Sequence, residues 1–218
     1  MTRRIAAAAT LSLALILALL VGTAPLGAAE PPKPADQSKT ASQPASTPQA
    51  PSAADMEMMM KLAAPGEHHK DLDRLAGKWA TSGKSWMAPG QPPVEMNGSM
   101  EASWTLGGRF LQSVHKGNFM GQPFEGHGLD GYDNVTHKYV GSWVDNMGTG
   151  LMAFEGSCDN PCKVLTTTGD FVDPMSRQKL TMRNVITFVD ANTYHQDMYV
   201  AGPDGKEFKM MEFVGKRQ

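Results

Sequence analysis

The side chains in this chain that invite chemistry each need a particular setting before they can act. Histidines stand at 115, 127, 137 and 195, and an imidazole ligates heme iron or moves a proton only where it faces an enclosed space. His195 alternates with Asp197 and Tyr199, so an inward-facing His195 would offer iron a ligand with a neighbour to tune it. The competing reading is a solvated strand residue. Glu125 and His127 share a strand face and form an acid–base pair only if that face is buried. His137 falls in a turn.

Arg183 and Glu212 each interrupt an otherwise apolar segment. Buried charges survive when paired or when they meet the polar head of a ligand. The expectation is therefore an apolar site with Arg183 at its polar end, Glu212 as its partner, and an amphipathic carboxylate as occupant. Trp143, in phase with Tyr139 and Asp145, and Tyr199, in phase with His195, are the aromatic candidates for the same ligand site.

Cys158 and Cys162 lie in Cys-Asp-Asn-Pro-Cys, close enough across a tight turn for a disulfide in an oxidising compartment. A metal pair is the alternative, without a second Cys/His pair at zinc-like spacing to support it. Methionines 56, 58, 59 and 60 stand near His68 and His69. Thioether and imidazole suit copper, whereas methionine on a helix more simply fills gaps. No serine sits in Gly-x-Ser-x-Gly and no glycine-rich loop opens a helix, so hydrolase, transferase and phosphate-cradling chemistry have no support. No cofactor is identified, and no catalytic residue.

The elements that position these groups are read from the spacing of turn residues. Residues 53–63 are good helix formers ended by Pro65-Gly66, and 67–75 form a second short helix with Leu72 and Leu75 on one face. From Gly77 the pattern changes to period two. Ten strands are expected, near 77–87, 93–105, 109–119, 123–132, 138–145, 149–157, 163–171, 178–189, 193–200 and 206–215. Pairs such as Gly107-Gly108, Asp133-Asn134 and Asp173-Pro174 separate them. Short strands with hairpin connections and no helix between them make an antiparallel up-and-down meander, and closure into a barrel removes its edges. The fold class is all-β, with the two helices set to lid or plug one end.

Before the domain the composition changes twice. Residues 1–29 read as a signal peptide: Arg3-Arg4, an apolar run from Ile5 to Val21, and Gly27-Ala28-Ala29 before Glu30. An uncleaved membrane anchor is the alternative, and the only route to a membrane. Residues 30–54 are Pro-, Ala- and Ser-rich without an aromatic, a disordered linker, and 55–218 is the barrel domain. Loss of Arg3 and Arg4 takes the formal net charge from -2 to -4, and without a basic cluster nucleic acid is excluded as a partner.

Leu75-Ala76-Gly77-Lys78-Trp79, with Arg217 on the last strand, resembles the Gly-x-Trp opening of lipocalin-like (calycin) barrels, in which an arginine stacks on that tryptophan. Further segments, among them Leu106 to Leu111, Pro123 to Gly126, Gly131 to Asn134, Met147-Gly148-Thr149-Gly150 and Gly202 to Phe208, resemble the bacterial domain-of-unknown-function family 1579, from about Met56 to Arg217. The resemblance implies a barrel and carries no catalytic residues. More distantly the chain is similar to nitrobindin and fatty-acid-binding barrels, which hold heme or lipid. The expected function is non-catalytic binding of a small hydrophobic or amphipathic molecule by an exported barrel, periplasmic or secreted. A heme or copper protein and a filled structural barrel are the alternatives.

Overall fold

The structure is a computed structural model that describes residues 50–202 and 204–218. The signal-peptide reading, and the linker reading up to residue 49, lie outside the described residues. Helix α1 (Ala53–Ala63) starts where Ser52 forms a capping box with Asp55: the Asp55 N–H donates to the Ser52 hydroxyl and the Ser52 N–H to the Asp55 carboxylate, satisfying two amides that a helix start leaves free. No residue of α1 is buried. Its far end is tied to the barrel by Asn134, whose amide donates to the Leu62 and Ala64 carbonyls at 2.9 and 2.8 Å.

Helix α2 (Glu67–Asp71) and a 3-10 turn at Leu72–Leu75 follow, and then ten strands: β1 (Gly77–Ser85), β2 (Val94–Thr105), β3 (Phe110–Phe119), β4 (Gln122–Asp133), β5 (Lys138–Asp145), β6 (Met152–Cys158), β7 (Val164–Val172), β8 (Lys179–Asp190), β9 (Thr193–Ala201) and β10 (Glu207–Arg217). Each strand pairs antiparallel with its sequence neighbour and β1 pairs with β10, which closes the barrel. This is the all-β up-and-down barrel the turn spacing predicts. At the first hairpin on the helix side, Gly107 and Gly108 take φ of 66° and 83°, a left-handed region that glycine enters without steric cost.

The 3-10 turn plugs one end. Leu72 and Leu75 are buried among Trp79, Met100, Leu111, Tyr139, Leu165, Phe188 and Tyr194. Polar contacts fix the plug's angle: the Trp79 indole N–H donates to the Leu75 carbonyl at 2.9 Å, and the Tyr139 hydroxyl to Asp71 at 2.6 Å. Arg217 stacks over Trp79 at 4.2 Å and donates to the carbonyls of Ala76 and Arg74. The sequence expectation for this Trp–Arg pair is met, and its reason is visible: the guanidinium satisfies carbonyls the 3-10 turn leaves unpaired. Cys158 and Cys162 form a disulfide, and their loop accepts a hydrogen bond from Arg74 at the Cys162 carbonyl.

Candidate functional site

Directly paired residues on antiparallel strands share a face, and successive residues alternate between faces. One row of partners therefore defines the inner wall: Leu111, Asp130, Gly141, Phe154, Gly169, Met182, Val200 and Phe208, from β3 round to β10. Leu111 and Val200 in this row are buried. Near the plug most inward side chains are buried, with Trp104, Tyr132 and Ile186 partly so. Farther along the lumen most are only partly buried, including Trp143, Phe154, Met182, Asn184, Gln196 and Met198, while Ser85 and Val200 are covered. The inner wall is thus less closely covered here than at the plug. The connections at the end away from the plug carry exposed apolar side chains, Met87, Met120, Met147, Leu151 and Met175.

The inner wall is apolar with a few polar groups set into it. Gln196 donates to Asn184 at 2.9 Å, and Asn184 to Thr167 at 3.3 Å. On the opposite side His115 lies 3.3 Å from the Ser113 hydroxyl and edge-on to Trp143. Removal from water holds its imidazole down to about 4, with a smaller push from His127, so His115 is neutral at physiological pH. The Trp143 indole N–H donates to Asp145 at 2.8 Å, and its ring stacks with Phe124 at 6.4 Å.

Asp130 is the unusual member. It faces the lumen between Leu111 and Gly141, and burial alone pushes its carboxyl up to about 7. Among the described residues it has no salt-bridge partner and accepts no hydrogen bond from any side chain.

The candidates from sequence divide by face. Trp143 lines the lumen. Arg183, Glu212, His195 and Tyr199 do not, and their expected place inside the barrel is corrected. Arg183 pairs with Thr168 and Tyr199, the face opposite Asn184 and Thr167. Its partner is Glu207, bound through two nitrogens, and its guanidinium lies over the Tyr199 ring at 4.2 Å. Glu212 answers to Lys209 at 3.2 Å, which also meets Asp197 at 2.8 Å. His195, exposed and paired with Thr187 and Val214, cannot address iron in the lumen; the strand imidazole that faces inward is His115. The reason is that alternation sorts residues into two sets without saying which is inside. Apolar neighbours on the outer wall, Val185 and Val189 among them, made the outer charges read as internal.

Glu125 and His127 do form a hydrogen bond, at 2.9 Å, but on a half-exposed outer face where Lys116 joins them. The His127 hydrogen bond, with Lys116 nearby, holds the Glu125 carboxyl low. The methionine–histidine cluster is not assembled. His68 stacks on Tyr132 at 4.3 Å, and the Nδ1 of buried His69 accepts the Gly66 N–H. The α1 methionines remain exposed. What sequence reading missed is Asp130. Its signal was present, since it stands in phase with Gly126 and Gly128, whose missing side chains leave room for it.

Among solved structures, the chain is similar to Rv2717c from M. tuberculosis, with 15% identity and a TM-score of 0.50 over 71% of this chain and 99% of that one. At that identity the likeness concerns the fold alone. A redesigned beta barrel matches at 15% identity and TM-score 0.36 over 68% of this chain and 95% of that one. EF1p2_mFAP2b bound to DFHBI matches at 12% and 0.38 over 69% and 98%. No curated protein matches the chain. The family model described as "Protein of unknown function (DUF1579)" matches residues 64–217, the plug and all ten strands, and the chain belongs to that family.

Proposed function

We propose that this protein is exported and binds, without catalysis, a small hydrophobic or amphipathic molecule in the barrel lumen. The observation that carries the reading is the state of the inner wall. Beyond the plug, Met182, Met198, Phe154 and Trp143 are inward-facing yet only partly buried, and a handful of polar groups interrupts the apolar lining, the composition typical of small-molecule sites. The apolar residues around the unplugged end suit entry from that side. Export rests on the apolar run and small-residue exit before Glu30, together with the Cys158–Cys162 disulfide.

The test is titration of the purified protein with Nile red, a neutral dye whose emission rises in apolar surroundings. Saturable binding is expected. Met198→Trp, which adds bulk to the inner wall, is expected to weaken it at least about tenfold, the scale of a displaced apolar contact, with an unchanged far-UV circular dichroism spectrum. Absence of saturable binding by the wild-type protein would sink the proposal in favour of a filled structural barrel.

A further inference from the structure

We propose that the lumen selects an organic cation, a protonated or quaternary amine on an apolar body, with the Asp130 carboxylate as its counter-ion and the rings of Phe154 and Trp143 as its side walls. This rests on the reading of the lumen as a ligand site and specifies the ligand's charge.

The local geometry comes from missing side chains. Gly126 and Gly128 on β4 and Gly141 on β5 face inward, and neighbouring groups lie across the space they leave. A Cβ on Gly126 would sit 2.3 Å from the Trp143 ring, and one on Gly141 would sit 2.4 Å from the Phe154 ring. The Asp130 carboxylate lies between them, one oxygen 2.9 Å from the Cβ position of Gly141 and the other 3.5 Å from that of Gly128, where the Ser113 hydroxyl also approaches at 2.6 Å. The carboxylate is thus laid along a glycine floor with an aromatic ring on either side. Among the described residues no buried side-chain oxygen lacks both solvent and a partner, so Asp130, unpartnered, keeps its oxygens open to the lumen.

Charge on the inner wall points the same way. Among the described residues two strand carboxylates face inward, Asp130 and Asp145. Against them stand neutral His115 and two plug-end arginines, both committed: Arg217 to Trp79 and three carbonyls, Arg74 to the Phe188 ring and the Cys162 carbonyl. The lysines of the strands that enter ion pairs, such as Lys116, Lys138, Lys179 and Lys209, answer outer-face carboxylates. A carboxylate held without a cation in such surroundings is costly, and a ligand ammonium removes that cost. Aromatic faces beside it add cation–π attraction. An anionic ligand meets the opposite field, so the carboxylate-bearing occupant expected from Arg183 is disfavoured.

The selectivity depends on pH because Asp130 titrates near neutrality. The ionisable groups facing it from adjoining elements are His115 on β3, Tyr132 on β4, Tyr139 and Asp145 on β5, and Asp71 of the plug behind Tyr139. His115 is neutral above about 4, and burial with the Asp71 hydrogen bond raises the Tyr139 hydroxyl.

The experiment is displacement of bound Nile red by benzyltrimethylammonium, by its neutral isostere neopentylbenzene, and by the anion 3-phenylpropionate, at pH 8 and pH 5.5. At pH 8 the cation is expected to displace the dye at a concentration about tenfold lower than the isostere, the scale of one partly desolvated charge contact. The advantage should collapse at pH 5.5, where Asp130 is protonated. In Asp130→Asn the cation and the isostere should displace the dye with equal potency at both pH values. Equal potency of cation and isostere at pH 8, preference for the anion, or a cation advantage that survives in Asp130→Asn would overturn the inference while the lumen reading stood. Failure of Nile red to bind would overturn both.

Discussion

Asp130 concentrates the physical tension of this protein in one side chain. Its carboxyl moves from an ordinary value of 3.8 to about 7 on burial. A folded pKa raised above the unfolded one means that the unfolded chain ionises first, so the fold loses stability as pH rises from about 4 through about 7. Asp130→Asn removes this loss. The variant is expected to be more stable than wild type by about 2–4 kcal/mol at pH 8, from 1.36 kcal/mol per pKa unit discounted for the open lumen, and to converge with it near pH 4. Urea midpoints across that range check it; a difference independent of pH would contradict the assignment. His115 carries the opposite sign. Its imidazole, held down to about 4 from 6.5, contributes stability that is present above 6.5 and lost as pH falls toward 4. In Gly-His-Gly-Leu-Asp-Gly the aspartate is visible, but nothing adjacent in the chain tells that Phe154 and Ser113 will approach it from other strands.

The decisive element is the short 3-10 turn rather than the longer helix α1. Helix α1 is well capped yet buries nothing, whereas Leu72 at 1% and Leu75 at 7% exposure enter the core against Trp79 and Tyr139. Leu72→Ala is expected to cost about 2–5 kcal/mol, the transfer of the lost methyl groups plus the cavity they leave. Met58→Ala on α1 is expected to stay within about 0.5 kcal/mol, as for exposed sites. Thermal or urea unfolding of the two variants separates these outcomes, and equal losses would show that α1 packs on the barrel. Both helices were legible from helix formers, the stop at Pro65-Gly66 and the i, i+3 leucines. That the second plugs the barrel while the first buries nothing against it follows from where Trp79, Tyr139 and Arg217 present hydrogen-bonding groups.

At the scale of the molecule, everything depends on the seam between β1 and β10, the pairing that brings the two ends of the domain together. Gly83 sits in that seam with Glu212 backbone oxygen 2.2 Å from where a Cβ would lie. Gly83→Val therefore forces the strands apart and exposes two edges. The expected result is a loss of at least about 3 kcal/mol, as for severe overpacking, with concentration-dependent association seen by light scattering; a monomer of wild-type stability would refute it. The ten strands were legible to within three residues at each end, because turn chemistry at Gly107-Gly108, Asp133-Asn134 and Asp173-Pro174 and a period of two are local properties of the chain. The lining of the barrel was not. Period-two alternation separates Met182, Ile186 and Phe188 from Arg183 and Thr187, but a face is inside only with respect to a closed surface. Closure is set by the β1–β10 pairing and by the plug that seals one end. The chain by itself thus determined the order of strands and the two helices; its resemblance to calycin barrels implied the Trp79–Arg217 pair, and the spacing of Cys158 and Cys162 favoured the disulfide over a metal pair. The tertiary structure alone decided that Trp143, His115 and Asp130 face the lumen while Arg183, Glu212, His195 and Tyr199 face water, because inside and outside exist only once distant strands have met.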